Sequence, residues 1–589
     1  MHTMRTKYVL RKPSEEVALP TEEMVKIALE TGSHPVLVYT LLNRGFKASE
    51  IRDILKSEDD CRLMRTPLNG AEEAAGRILS AIKSDERIGI FADYDCDGIT
   101  SGFVMRWGLT AIKRALHSNA AIYLHYPQRK DGYGLSNAYC EAAKGKLNLV
   151  ITVDNGIATR EQEEVLHGYG IGLIVTDHHE PKNATLPALK STPIVDPCYN
   201  DLDRSYLAGV AVAYNVVFTA ARKAGITLNR GIFLPAVMLG TISDCMPMSF
   251  ENACYIKAGL SFLNGKDKYT KFYLDAFYDS YKKKVNLPPV ITPKDISFTV
   301  APKINSASRM GDTNLAGLAM FLGVQDDKRT EKAVKKLSDL NDKRKDETKK
   351  IVKDVVEKLV VPESRRIVAY DGDAFGNGLH GIIASKITDS YPDYPAFVYR
   401  MKDGVCAGSV RCDNEAIDCM AMFEQLKAEG LVKMCAGHSR ACVLEVEEAN
   451  RERFLDAFSK LYDSMDIPEV VKMYDATVKL KLLSNDFLSL VNNIPFTTQE
   501  KPVFMVKNVF INEAKKTKNG TGVTLSIADD TATVKVNWWG MAKHYEALGS
   551  PKVVNLVCSI QQDFRMARPC ASLDIIDMIP VKQEEQHAA

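Results

Sequence analysis

Phe91-Ala-Asp-Tyr-Asp-Cys-Asp-Gly98 is the stretch from which the rest of the chain is read. The apolar run Ile88–Ala92 has the composition of a buried strand, and Asp93, Asp95 and Asp97 alternate directly after it. In an extended segment alternate side chains point the same way, so three carboxylates are aimed at one volume. Their mutual repulsion raises their pKa values, and a divalent cation is the natural compensation. Gly98 then permits a sharp turn into a helix expected to begin near Thr100. The bland alternative is a solvated acidic turn.

Further apolar segments end in the same chemistry. Thr152-Val-Asp-Asn-Gly156 sets Asp154 at the end of a second strand, Leu149–Val153. Val175-Thr-Asp-His-His-Glu180 sets Asp177, His178 and His179 at the end of a third, Ile171–Val175. A fourth apolar run, Leu239-Gly-Thr-Ile-Ser-Asp244, closes on Asp244. Imidazole and carboxylate together suit Mn²⁺ and similar ions. Converging carboxylate sites of this kind fit two-metal phosphoryl chemistry, in which two ions clamp the attacking and leaving oxygens. Short β-rich runs alternating with helical stretches predict a parallel sheet with helices on both faces, and sites in such folds lie beyond the carboxyl ends of the strands.

Composition sets the outer bounds. The chain has 589 residues, 46% hydrophobic and 26% charged, which suits a globular protein of several domains and excludes a disordered chain or a collagen-like repeat. With 76 basic and 75 acidic residues, any nucleic-acid surface must be local. No long uncharged apolar stretch predicts a membrane span, and residues 1–16 hold no apolar signal core. The densest cysteine run, Cys406, Cys412, Cys419, Cys435 and Cys442, lacks the close pairs of a zinc site. Free thiols in a reducing compartment, the cytoplasm, are expected.

The fold class expected is α/β, in five parts. Residues 1–85 read as a helical lead-in, 86–327 as the parallel-sheet domain, 328–360 as a connector helix, 361–465 as a second α/β domain and 466–589 as a small β-barrel resembling an OB-fold. The polar, tyrosine- and lysine-rich stretch near 265–290 reads as an insertion. The lysine-dense helix reads as a connector, with nucleic-acid contact the alternative. Five strand-like runs between Val503 and Ile579 build the barrel, and Phe504, Phe510, Trp538, Trp539 and Phe564 are its stacking candidates.

Taken in order, DYDCDG, TVDNG, TDHHE and GTISD resemble the motifs of the DHH phosphoesterase superfamily. The resemblance extends to its RecJ branch through Tyr126-Pro-Gln-Arg-Lys-Asp-Gly-Tyr-Gly-Leu135 and Ala301-Pro-Lys-Ile-Asn-Ser-Ala-Ser-Arg-Met-Gly311. His380-Gly-Ile-Ile-Ala-Ser-Lys386, Gly408-Ser-Val-Arg411 and Ala436-Gly-His438 resemble motifs of the DHH-associated domain, which would be the second α/β unit. Ala436 stands where the family usually has the first glycine of a GGH motif, and Pro495-Phe-Thr497 replaces a PFG-type turn.

The resemblance implies a site. Asp93, Asp95, Asp97, Asp154, His178 and Asp244 would hold two Mn²⁺ or Mg²⁺ ions, with Asp154 as the bridge. Asp177 would orient a histidine, His179 would face the scissile phosphate and Arg309 would grip it. Arg129, Ser409 and Arg411 would take a 5′-terminal phosphate, and His438 would add to the nucleic-acid surface. The implied activity is 5′→3′ exonucleolytic degradation of single-stranded DNA to mononucleotides in recombination and repair. Contacts with single-strand-binding protein or a helicase come with the same resemblance. Two alternatives are a DHH phosphodiesterase for short oligonucleotides or cyclic dinucleotides, and a non-catalytic RecJ-like replication scaffold. The barrel argues against the first and the intact acidic motifs against the second.

Overall fold

The computed structural model describes residues 6–56, 66–181, 185–280, 290–359, 361–465 except 363, 374, 375, 377, 390 and 392, 470–563 except 519, and 570–581. Strand β1 (Thr6–Leu10) opens the described chain, and helices Thr21–Thr31, Pro35–Asn43, Ala48–Leu55 and Ala71–Lys83 follow. The first sheet comprises β2 (Arg87–Ala92), β3 (Ala121–His125), β4 (Leu149–Val153), β5 (Gly172–Thr176) and β6 (Ile194–Val195). Its order is β3-β2-β4-β5-β6 and every pairing is parallel. Parallel sheets are covered on both faces, which is why these strands read as continuous apolar runs. Ile90, Ile151 and Ile174 face one core with the helices Cys96–Ala115 and Gly209–Lys223, while Phe91, Val150 and Val175 face a smaller one with Leu166.

The second sheet holds β7 (Val368–Asp371), β8 (Ala396–Lys402), β9 (Val405–Arg411), β10 (Met434–His438) and β11 (Ala441–Glu447), in the order β10-β11-β9-β8-β7. Between the two sheets runs the connector helix Arg329–Lys358. Its Val334 and Leu337 join the first core, and Val355 joins a cluster with Ile383 and Val398 of the second domain.

Strand β12 (Val470–Tyr474) pairs in parallel with β1, and β13 (Ala476–Thr477) leads into the barrel. There β14 (Phe504–Lys516), β15 (Val523–Ala528), β16 (Thr533–Trp538), β17 (Val553–Asp563) and β18 (Cys570–Pro580) lie in the order β16-β15-β14-β17-β18, and β16 comes back into contact with β18. Of the stacking candidates, Phe504 and Trp538 are core, whereas Phe510 and Trp539 are 55% and 53% exposed. Phe564 lies outside the described residues.

Two expectations need correction. The first 55 residues are not a lead-in to the parallel-sheet domain. Ile27, Leu41, Phe46 and Ile51 share one core with Phe504, Leu525, Trp538 and Leu556 of the barrel, so the two chain ends form one packed unit. Arg44 fixes this join: its guanidinium meets Asp475 Oδ2 at 2.8 Å and Glu500 Oε2 at 3.0 Å, with both Arg44 and Asp475 almost fully buried. Nor is the stretch near 265–290 an added excrescence. Helix Lys271–Asp279 buries Phe272, Tyr273 and Phe277 in the first core, and the buried Lys303 ammonium donates to the Ala276 carbonyl at 2.6 Å. The tyrosines that made it look polar are structural; residues 281–289 lie outside the described residues.

Removing one partner of a buried ion pair strands the other charge, at a cost of about 3–5 kcal/mol. Asp475→Ala is therefore expected to lower hydrogen-exchange protection across Thr21–Leu55 and the barrel together, while strands β2 to β6 keep theirs.

Candidate metal centre and interdomain cleft

All five strands of the first sheet point their carboxyl ends at one rim, and the motif residues occupy it. The local geometry differs from simple strand alternation. Strand β2 stops at Ala92, and the next helix begins at Cys96 rather than near Thr100. Asp95 is its N-cap, accepting from the Gly98 amide at 3.0 Å, and Asp97 sits in its first turn. A capping aspartate frees the helix to start earlier, because it satisfies an otherwise orphaned amide. Asp93, Asp95 and Asp97 thus reach the same centre from a strand extension, a cap and a helix.

Asp97 is held by a second helix start: Gly209 and Val210, the first residues of helix Gly209–Lys223, donate their amides to its two oxygens at 2.7 and 3.1 Å. The positive end of that helix favours a carboxylate there. Asp154 follows β4 with φ +59°, a left-handed conformation that a non-glycine residue rarely takes. The turn is locked by Asn155, whose amide group donates to the Val153 carbonyl at 2.9 Å. Asp244 is the C-cap of helix Arg230–Ser243, so its approach is helical too.

The centre forms where these elements meet. His178 Nε2 lies 3.1 Å from Asp154 Oδ1, 3.7 Å from Asp244 and 3.8 Å from Asp97. Three sets bring ligand atoms within 4.8 Å of one another: Asp93, Asp95 and Asp154; Asp97, His178 and Asp244; and Asp154, His178 and His179. Asp154 shares the first and the last. Burial, then Asp95, pushes Asp93 up to about 8, and the same two causes push Asp244 up to about 7. Burial and neighbouring carboxylates hold Asp97 and Asp154 well above the usual range. Burial drops His178 to about 3, so its ring is neutral and free to ligate. Asp93 Oδ1 is buried without a donor, and Asp154 Oδ1 has only the His178 ring nitrogen, without hydrogen-bond geometry. Hard oxygen donors with an imidazole, repelling one another in a largely buried site, fit divalent cations.

Beside this set, His179 Nδ1 contacts Asp177 Oδ1 at 2.7 Å. Asp177 also accepts from the Ile157 and His178 amides, which fixes its carboxylate. Burial opposes a charge on His179, but Asp177 overrides it and raises the ring to about 9. Tyr133, which lies in the Tyr126–Leu135 segment but is given no role there, places its hydroxyl 3.2 Å from the same ring.

Across the cleft lies a set of arginines. Arg129 stacks on Tyr94, 4.4 Å from the ring centroid, and with Arg309, Lys130 and Gly378 lines a cavity of about 250 Å³. Arg309 donates to the Gly378 carbonyl at 2.7 Å, tying the first domain to the second. Burial, then Arg129, Arg344 and Arg411, lowers its pKa to about 9. Arg411 and Ser409 sit on β9 above Gly381, where a Cβ would come 2.9 Å from the Arg411 guanidinium and 3.7 Å from the Ser409 hydroxyl. Arg129 repels Arg411 as well, so the residues expected at an end-binding pocket are brought together. His438 ends β10, exposed. Sequence reasoning missed Tyr94, Tyr133, Gly209 and Arg344. The first two stood inside quoted motifs; Gly209 carries no side-chain signal, and Arg344 is hidden among lysines.

Two outcomes test the centre. A Cβ at Gly209 would lie 2.5 Å from Asp154 Oδ1, so Gly209→Ala should displace Asp154 and cut Mn²⁺ affinity at least tenfold in a calorimetric titration while the fold persists. The raised carboxyls set the pH behaviour. Their folded values of about 8 and 7 exceed the ordinary 3.8, so their stabilisation is complete below that value and is lost as pH rises through 7 to 8. Metal-free protein should therefore lose thermal stability from about pH 4 to about pH 8, and Mn²⁺ should restore it with release of protons.

Comparison with known proteins places this geometry. The model of the DHH family N-terminal domain matches residues 87–241, and that of the RecJ OB domain matches residues 474–577. The single-stranded-DNA-specific exonuclease RecJ of Bacillus subtilis is 26% identical over 536 residues, covering 88% of this chain and 64% of that protein. The chain thus spans just under two thirds of that relative's length. The Haemophilus influenzae protein of the same name is 27% identical over 74% of this chain and 76% of its own. The crystal structure of RecJ in complex with Mn²⁺ from Thermus thermophilus superposes with a TM-score of 0.77 at 21% identity, covering 98% of this chain and 80% of that one. Among the described residues no helix is long and apolar enough to cross a membrane. The chain therefore carries a DHH family N-terminal domain over residues 87–241, which hold the parallel sheet and the motif aspartates from Asp93 to Asp154, and a RecJ OB domain over residues 474–577.

Proposed function

We propose that this chain is a metal-dependent exonuclease that degrades single-stranded DNA from the 5′ end to mononucleotides. The observation that carries the reading is the juxtaposition of five converging aspartates and His178 with an arginine-lined cleft one side chain away. Asp93, Asp95, Asp97, Asp154, His178 and Asp244 would hold the Mn²⁺ or Mg²⁺ ions, which when bound supply Lewis-acid charge at the phosphate and lower the pKa of water. The chain's own residues do the rest. Asp177 sets the orientation of His179, and Tyr133 flanks the ring, so His179 can hold a proton toward the phosphate. Arg309 is half-buried, among the described residues no carboxylate hydrogen-bonds to it, and a planar guanidinium suits a phosphate on which charge builds. The exposed Phe510 and Trp539 offer stacking faces on the barrel, and stacking is sequence-tolerant.

Polarity rests on Arg129, Ser409 and Arg411. Two guanidinium groups and a hydroxyl supply charge-assisted hydrogen bonds to a terminal phosphate dianion. Cytoplasmic placement rests on the free thiols that the cysteine spacing implies, while a setting in recombination and repair and contacts with single-strand-binding protein or a helicase rest on the family resemblance alone.

The test is Mn²⁺-supplemented digestion of oligonucleotides labelled at either end, single- and double-stranded. Loss of the 5′ nucleotide first, from single strands only, is expected; release from the 3′ end would overturn the reading. Arg411→Ala should narrow the rate difference between 5′-phosphate and 5′-hydroxyl strands at least tenfold, consistent with about 1.5–3 kcal/mol for a charged hydrogen bond.

A further inference from the structure

The inner stripe of the connector helix changes character halfway along. Val334, Leu337 and Leu340 pack on the first domain and Ile351 and Val355 on the second, but between Leu340 and Ile351 the buried or half-buried positions are Asn341, Arg344, Glu347 and Thr348. A helix that packed along its whole length would keep this stripe apolar. Here the middle turns span the cleft between the domains. The helix packs against Ala301–Arg309, which ends in Arg309, and Arg344 is close enough to repel that arginine.

Arg344 is built in rather than merely present. Asn341, one turn earlier and buried, accepts from its Nε at 3.3 Å and its Nη2 at 3.0 Å, which uses one edge of the guanidinium and leaves the other. No carboxylate among the described residues lies within ion-pair distance of it, although its own helix carries Asp339, Asp342, Asp346 and Glu347. A half-buried cation with a fixed orientation, a cationic neighbour and no counter-charge lacks an anion. Arg344 lies on the helix that packs against Ala301–Arg309, which sets it beside Arg309, whereas Ser409 and Arg411 stand on β9 of the second domain.

We propose that Arg344, held by Asn341, binds an internal backbone phosphate of the strand, next to the one being cleaved and distinct from the terminal phosphate. This rests on the exonuclease reading and adds a subsite to it. The site recognises a phosphodiester monoanion and no base, so it would act on any sequence.

The experiment separates binding from chemistry. In the inactive Asp154→Ala background, with fluorescent single-stranded DNA, adding Arg344→Ala should weaken binding about tenfold and reduce the magnitude of the log–log salt slope by about 0.7, the contribution of one single-strand phosphate contact. Arg344→Lys should recover the slope. In the active protein Arg344→Ala should raise KM more than it lowers kcat. Replacing one internal phosphodiester by a neutral methylphosphonate should reproduce the loss in wild type and add nothing in the variant. Because the cation is half-buried without a counter-charge, Arg344→Ala should keep or raise the melting temperature. A fall in kcat with KM and salt slope unmoved, or a melting temperature lower by many degrees, would make Arg344 a strut for Arg309 and overturn the proposal. Wild type failing to digest single strands would instead overturn the exonuclease reading, and the two failures are told apart by that control.

Discussion

Five converging carboxylates, with Asp93, Asp97 and Asp154 buried, are the constraint around which the first domain is arranged. Left to themselves they repel, and Asp93, Asp97, Asp154 and Asp244 all respond by holding their protons more tightly. The surrounding elements resist this repulsion mechanically. A helix start grips Asp97, a left-handed turn pins Asp154 and a cap holds Asp95. The scaffold stores unfavourable electrostatics in the metal-free state, and a divalent cation relieves it. Such strain persists only where neighbouring packing over-determines it.

The cleft repeats the arrangement with opposite sign. Arg129, Arg344 and Arg411 all lie near enough to Arg309 to repel it, and burial has weakened the hold of Arg309, Arg344 and Arg411 on their protons. A cationic wall facing an anionic rim would collapse into salt bridges if the side chains could reach one another. Asn341, Tyr94 and the Gly378 carbonyl hold three of these arginines in place. Both sets stay unneutralised, and a metal-bound phosphodiester has the charges to satisfy them.

Much of this was legible before the fold was known. Strand ends, acidic residues and the paired histidines announced the rim because parallel sheets put unusual residues at their carboxyl ends. The five barrel strands followed from turn signals between β-rich runs. What escaped was set by tertiary context. The helix at Cys96 starts early because Asp95 caps it, and nothing in an alternating aspartate pattern distinguishes a cap from a strand. The helix Lys271–Asp279 looked like an insertion because its tyrosines are polar in sequence and core in space. Gly209 offers only a missing side chain, whose value appears when Asp154 lies against it. Arg344 sits in a lysine-rich run that conceals which cation faces inward.

The union of the two chain ends carries a consequence for how the molecule comes into being. Asn43 hydrogen-bonds the Asp475 carbonyl across 432 residues of chain. During synthesis at about 5–20 residues per second, the first helices would wait roughly 20–90 s for the surface that completes their core. Throughout that interval Leu41, Phe46 and Ile51 lack the barrel side of their core, while both α/β domains can already fold. Nascent chains would therefore pass through a stage in which a finished metal centre is tethered to a sticky, unpaired amino-terminal arm, the form most exposed to aggregation and to capture by holdase chaperones.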